Sequence, residues 1–287
     1  MATHTTEGRP WTFYALAAIF TLFVMFLYGP MACIYILSFQ GPNGGLTFPL
    51  NGVSTHWFGA LFRQERTGDI AGAFSRSIPL AIIVLTLTVI LSLAAGLAFR
   101  RRFLGAGLIF YVAIASLIVP GLVLSVGIGL AFQMLGIPPR WYSSALGAHL
   151  SWTLPFGLLI MFAIFSRLSR SYEEAARDLG ASTWQSLRYV VIPIVLPGII
   201  GVALFGFTLS YDEFPRSWLT VGPNNTLPLE IWAMTTNITS PALYALGTVT
   251  TAISFVVIGV ALTSIAMIQS HRSRQRLARE RAMRAGS

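Results

Sequence analysis

The chain reads as an all-α polytopic membrane protein with six transmembrane helices, and three features of its sequence predict this. Hydrophobic residues fill 55% of its 287 positions and charged residues only 10%. Uncharged apolar runs recur along the chain, each long enough to supply the roughly 20 residues that carry a helix across a hydrocarbon core about 30 Å thick. The arginines gather in short segments between those runs, the pattern that orients a membrane protein.

The runs cover residues 11–40, 77–99, 103–139, 141–166, 189–211 and 241–270. Arg9 precedes the first, and no small-residue cleavage site follows it, so an uncleaved first span is predicted rather than a removable signal. The segment 41–76 is rich in Gly and carries Trp57, Phe58, Phe62 and Phe74 among polar residues, which predicts a loop and a short helix lying at the outer membrane surface. Residues 103–139 are too many for one upright helix. Pro120-Gly121 within them predicts a kink. Residues 1–10 and 271–287 are read as cytoplasmic ends flanking a single membrane domain, 11–270.

Charge settles the number of crossings. Arg100, Arg101 and Arg102 precede the third run, and Arg167, Arg170, Arg177 and Arg188 follow the fourth. Both clusters face the cytoplasm only if an even number of crossings separates them, so 103–139 counts as one kinked span with a folded outer end. Six spans with both termini inside follow. The inner segments then carry fourteen arginines and five acids, net +9, and the outer ones five of each, net zero. The basic tail, Arg272 to Arg284, is read as a solvated helix end touching anionic lipid, with no nucleic-acid partner.

Several chemistries are excluded. All 19 basic residues are Arg, so the phosphate loop that needs a Lys cannot be built here, and any ATP that drives this protein is bound by another chain. Cys33 is the only cysteine; it is read as a packing residue, and no internal disulfide or cysteine-built metal site exists. Paired His ligands and nucleophile elbows are absent, and Met25, Met31, Met161 and Met234 lack metal-ligand spacing. No enzyme activity, cofactor or metal is expected of this chain. His149, near Trp152 and Pro155 in the fourth run, is read as a buried, hydrogen-bonded histidine rather than a proton relay.

The polar loop 167–192 carries the strongest local signals. Ser171 with Glu174 fits a capping box, Gly180 is placed to end the helix in a left-handed conformation, and Ser182 with Gln185 repeats the box. Pro193 and Pro197 mark the start of the fifth span. The expected shape is helix, Gly turn, helix, a rigid elbow on the cytoplasmic side.

Glu174-Ala175-Ala176, three residues, Gly180, nine residues, then Val190-x-Ile192-Pro193 closely resembles the signature of membrane subunits of bacterial ABC importers. In that signature Ile and Leu stand where this chain has Val190 and Ile192. Beyond the loop, Ser77, Arg100-Arg101-Arg102-Phe103, Pro120-Gly121, the run from Thr208 to Phe214, Val221-Gly-Pro223 and Thr226-Leu-Pro228-Leu-Glu230-Ile231 are similar to the spermidine/putrescine permeases.

The resemblance implies the MetI-like ABC permease fold in a bacterial inner membrane, with Glu174, Ala175, Ala176 and Gly180 in a coupling helix that docks on an ATPase subunit. It also implies a second, pseudo-symmetric permease subunit forming a heterodimer, two ATPase subunits that bind the ATP, and an extracytoplasmic substrate-binding protein.

A polyamine cargo would need acids near the outer side. Asp212 and Glu213 end the fifth run, where a charge is costly unless it faces water or a partner. Tyr211, Phe214 and Trp218 stand beside them, able to stack on ammonium or methylene groups. The competing reading pairs Asp212 with Arg216, four residues on. Two functional readings remain beside the polyamine importer: an ABC permease for another small amino compound or organic cation, and a self-sufficient secondary transporter, for which inverted repeats and broken mid-membrane helices would speak.

Overall fold

The computed structural model describes residues 10–63, 68–101, 103–237 and 240–285, with the side chains of 237, 272 and 275–285 set aside. Arg9, Arg66 and Arg102, and the tail arginines apart from Arg274, therefore lie outside the described residues or side chains. Within that range the chain forms α1 (Trp11–Leu37), α2 (His56–Ala60), α3 (Ile70–Phe99), α4 (Ala106–Ala115), α5 (Gly121–Met134), α6 (Ser144–Arg167), α7 (Ser171–Asp178), α8 (Thr183–Ser186), a π turn (Leu187–Val191), α9 (Ile192–Tyr211), α10 (Leu227–Asn237) and α11 (Ala242–Ala285).

Five of these segments are long and apolar enough to cross a membrane: α1, α3, α6, the run Thr183–Tyr211 that ends in α9, and the first part of α11, Ala242–His271. The third predicted span, 103–139, is realised as two shorter apolar helices, α4 and α5. At a rise of about 1.5 Å per residue, neither covers a bilayer core alone. Pro120 sits extended at the N-cap of α5, so the predicted kink is a full break.

Two compact units emerge from the contacts. One comprises Met1–Gly68 with Met234–Thr251 and the other Asp69–Ala233 with Ala252–Ser287. In the first, the loop after α1 folds around Gln40, which is fully buried. Its amide donates to the carbonyls of Gly45 and Thr47 at 3.2 and 3.4 Å, and its Oε1 accepts from the N–H of Asn51 at 2.7 Å. The hydroxyl of Tyr244 closes the loop by donating to the Leu46 carbonyl at 2.8 Å. The short helix expected in 41–76 is α2. Cys33, read as packing, instead stands exposed on α1, a helix that buries only Leu37.

The second unit is built on α3, α6 and α9, which pack on one another. At one end Leu80, Val84, Ala145, Val221 and Leu229 cluster; at the other, Met161, Phe165, Val191, Val195 and Val202 do. Small residues let the helices approach, since helix packing in lipid relies on close van der Waals contact. A Cβ on Gly206 would stand 3.0 Å from the Cα of Leu85, and one on Gly157 would run into the hydroxyl of Ser92.

α3 starts at Ile70, seven residues before the apolar run. Asp69 explains this. Its carboxylate accepts from the N–H of Gly72 at 3.0 Å as a helix cap and pairs with Arg76 at 3.0 Å, so a charged turn becomes helical. The same corner is tied to the start of α10. Ser77 Oγ accepts from the N–H of Leu227 at 2.7 Å, and Arg76 Nε donates to the Asn225 carbonyl at 2.8 Å. Glu230 accepts from the N–H of Asp69 at 3.0 Å and from the Asn225 amide at 2.9 Å. α10 was not foreseen, because eleven residues with a Pro and a Glu form no apolar run.

Candidate functional site

The loop between α6 and α9 is an elbow of two helices, and its termini explain its rigidity. After α7, Gly180 takes φ +83°, a left-handed conformation costly for any residue bearing a Cβ. The N–H of Ala181 then bonds the Ala176 carbonyl at 3.0 Å and the N–H of Gly180 bonds the Arg177 carbonyl at 2.8 Å, the paired pattern of a Schellman cap. Two residues on, α8 opens with a complete capping box. Ser182 Oγ accepts from the N–H of Gln185 at 3.2 Å, and Gln185 Oε1 accepts from the N–H of Ser182 at 2.7 Å.

The first expected capping box does not form. Arg170, already helical, takes the N-cap position of α7, and its carbonyl accepts from Glu173 and Glu174 at 2.9 and 3.1 Å. Ser171 Oγ turns to Ser169 Oγ at 3.0 Å. The Glu174 side chain is thereby left exposed and without a partner among the described residues, and Glu173 forms an ion pair with Arg100. Both acids sit in the first turn of α7, where the helix dipole favours negative charge.

Arg100 joins the end of α3 to this elbow. Besides Glu173, it donates to the Leu168 carbonyl at 3.3 Å, and its guanidinium lies 5.7 Å from the ring centroid of Phe165. Arg170 in turn donates to the Arg100 carbonyl. Between α3 and the elbow these residues leave a cleft of about 500 Å³.

Two large apolar side chains stand bare among the charged residues of the elbow, a feature that the sequence reading did not single out. Leu179 is 90% exposed and Trp184 62% exposed, on either side of Gly180. Ala175 is exposed and Ala176 half-buried. Past α8 the backbone widens into a π turn, closed by the N–H of Ile192 on the Leu187 carbonyl. Pro193, which has no N–H to donate, follows directly.

The second predicted site lies beyond α9. Glu213 is 4% exposed and Arg216 7%. Glu213 Oε1 accepts from the Arg216 backbone N–H at 2.9 Å and from its guanidinium at 3.4 Å, which lies 4.6 Å from the ring centroid of Trp152. Burial pushes the Glu213 carboxyl up, and the bonds and charge of Arg216 oppose that rise. The arginine therefore pairs with Glu213 and not Asp212, because the chain leaves the helix at Asp212 and the four-residue helical spacing no longer applies. Asp212 is exposed.

Tyr211 is 1% exposed and stacks on Phe207 with centroids 5.5 Å apart, so its ring is not available at the surface. Trp218 is 43% exposed and belongs to an aromatic triad with Phe214 and Trp232, with centroids 5.1 to 6.4 Å apart. Trp232 was missed because it lies on α10. His149 is buried as expected, with Nδ1 2.8 Å from Ser210 Oγ and Nε2 2.9 Å from Ser217 Oγ. Ser217 gives its one hydroxyl proton to the Glu213 carbonyl at 2.6 Å, so Nε2 carries the proton donated to Ser217. Among the described residues no group of three His, Cys, Asp or Glu is placed to hold a metal ion.

Comparison with known proteins agrees with this architecture. Residues 88–275 match the family described as binding-protein-dependent transport system inner membrane component. The chain is 28% identical over 240 residues to the spermidine/putrescine transport system permease protein PotC of Escherichia coli strain K12, covering 83% of this chain and 89% of that one. It is 29% identical over 247 residues to the putrescine transport system permease protein PotI of the same strain, covering 83% and 85%. A chain of a bacterial ABC transporter involved in the import of the acidic polysaccharide alginate superposes with a TM-score of 0.62 at 16% identity, covering 92% of this chain and 99% of that one. A chain of the MetNI methionine ABC transporter does so with a TM-score of 0.56 at 14% identity, covering 69% and 95%. This chain belongs to the family of binding-protein-dependent transport system inner membrane components and is an ABC importer permease close to the polyamine permeases.

Proposed function

We propose that this chain forms half of the translocation path of an ATP-driven importer for polyamines such as spermidine and putrescine, and that the 171–193 loop couples it to an ATPase subunit. The observation that carries the coupling role is the elbow itself. Its two helices are fixed by a Schellman cap and a capping box, while Leu179 and Trp184 stand exposed, uncovered by the described residues. A rigid element that exposes two large apolar side chains is suited to dock and to transmit force. Glu174, Ala175, Ala176 and Gly180 are the residues assigned to it.

The complete transporter in this proposal has a second permease subunit, two ATPase subunits that bind the ATP, and an extracytoplasmic substrate-binding protein. Both termini of this chain are cytoplasmic and it has no ATPase site of its own. Family membership replaces the reading as a self-sufficient secondary transporter.

For cargo, the names of the PotC and PotI relatives support a polyamine. Asp212 offers a free carboxylate, and Trp218 and Trp232 offer aromatic faces to an ammonium group. The same features would suit another small amino compound or organic cation, which is the second reading. Glu213, committed to Arg216, has the weaker claim to cargo contact.

The test is reconstitution of the complete transporter in proteoliposomes. Glu174→Arg and Gly180→Pro should each abolish uptake while ATP hydrolysis and membrane insertion persist. Normal uptake by both variants would remove the docking role. Ligand binding by the partner binding protein decides the cargo: failure to bind any polyamine would remove that assignment and leave the coupling role standing.

A further inference from the structure

The cleft between the end of α3 and the elbow is charged beyond what coupling requires. Four arginines line it, Arg100, Arg101, Arg170 and Arg177, against two carboxylates, Glu173 and Glu174. Arg100 and Arg170 are engaged in the contacts that hold the elbow. Arg101 and Arg177 are exposed, and their guanidinium groups have no hydrogen-bonding or ionic partner among the described residues. Ser186, also in the lining, is 3% exposed, and its Oγ has no hydrogen-bond partner. A buried hydroxyl without a partner and two unpaired guanidinium groups thus line one cleft, more donors than its two carboxylates answer.

A second groove of about 270 Å³ shares Arg100 and Arg170 with this cleft. Its other walls are Gly96, Phe99, Phe162, Phe165, Ser166 and Leu168. The two cavities border on the same pair of arginines, which sets charged donors beside an aromatic trough.

We propose that this composite site seats one anionic phospholipid, its phosphate against Arg101, Arg177 and the Ser186 hydroxyl and an acyl chain along Phe99, Phe162 and Phe165. Guanidinium groups are the favoured donors to phosphate because their planar fork bonds two of its oxygens at once. The trough decides between ligand classes. A free phosphate ion would leave it empty, and an acidic peptide segment brings no acyl chain to fill it. The lipid would bridge the end of α3 and the elbow, making coupling sensitive to bilayer composition. This inference goes beyond the transport reading and is independent of the cargo.

The test is native mass spectrometry of the full-length chain released from micelles containing equal phosphatidylglycerol and phosphatidylethanolamine. The wild type should retain phosphatidylglycerol preferentially. Arg101→Gln combined with Arg177→Gln should lower that retention about tenfold, because each arginine contributes to holding the anionic head group. Equal retention of the two lipids by the wild type would overturn the proposal, and needs no variant to fold. So would unchanged phosphatidylglycerol retention by the double variant, or release of the lipid by millimolar inorganic phosphate alone, which would make the ligand a soluble anion. Displacement by an acidic peptide that leaves phosphatidylethanolamine adducts untouched would reassign the cleft to a protein partner and overturn it as well.

Discussion

Arg100 and Glu173 form an ion pair between the C-cap of α3 and the first turn of α7, joining the three-helix core to the elbow. The arginine side chain is 11% exposed and the glutamate 25%, so water screens this pair less than it would a surface pair. In the proposed coupling role, a motion of the elbow would reach α3 through this bonded contact.

Arg100→Gln removes the charge at the centre of that junction. Loss of charge-assisted hydrogen bonds of this kind costs about 1.5–3 kcal/mol. The thermal midpoint of the purified permease should fall, and uptake per ATP hydrolysed should fall with it. The charge exchange, Arg100→Glu with Glu173→Arg, should recover part of both. Recovery of neither, with each single variant behaving as wild type, would show that the pair carries no force.

Gly180 holds φ +83° at the turn of the elbow. Replacing it by Ala forces a Cβ into the left-handed region at a cost of about 1–2 kcal/mol. That cost falls on a local unit, so the global melting temperature should scarcely move. Hydrogen exchange at Ala181 and Gln185 should accelerate, because their N–H groups bond across the caps that the turn aligns. Unchanged exchange with wild-type uptake would mean that the turn tolerates a side chain.

Much of this architecture was legible in the sequence, for reasons that can be traced to particular residues. Apolar length located the spans, Pro120-Gly121 the break between α4 and α5, and Gly180 and Ser182 with Gln185 the caps of the elbow. Local signals failed where a distant partner decides the outcome. Asp69 and Arg76 neutralise one another and lengthen α3, while Arg170 and the Arg100–Glu173 pair displace the capping box expected at Ser171. Trp232 joins Phe214 and Trp218 only because α10 folds back toward the end of α9. The choice of Glu213 over Asp212 as partner of Arg216 depends on where α9 ends, which a fixed four-residue spacing cannot anticipate.

His149 is the hub of a buried polar cluster, bonded to Ser210 on α9 and to Ser217 beyond it. His149→Ala would leave the Ser210 hydroxyl without its partner beside a new cavity, while Ser217 keeps its bond to the Glu213 carbonyl. Leaving buried hydrogen-bonding groups unsatisfied costs about 1–3 kcal/mol each. The detergent-solubilised variant should melt at a clearly lower temperature and insert at reduced yield. A His149→Ala variant as stable as wild type would reduce this histidine to a spacer.

The two adjacent acids should separate cleanly when each is neutralised. Glu213→Gln leaves Arg216 buried without its counter-charge, a loss of about 3–5 kcal/mol for a buried pair broken from one side. Glu213→Gln should therefore lower stability first and transport only as a consequence. Adding Arg216→Met should restore much of the stability, since a well-packed apolar residue in place of a buried ion is often neutral or favourable. Asp212 is exposed, so Asp212→Asn should change stability by no more than about 0.5 kcal/mol. If Asp212 meets a cationic cargo, Asp212→Asn should raise the concentration of spermidine needed for half-maximal uptake by about tenfold, a loss of roughly 1.4 kcal/mol in binding. Uptake measured in proteoliposomes beside melting curves of the same preparations distinguishes the two acids. A stable Glu213→Gln with impaired uptake, beside an Asp212→Asn that transports normally, would reverse the assignment.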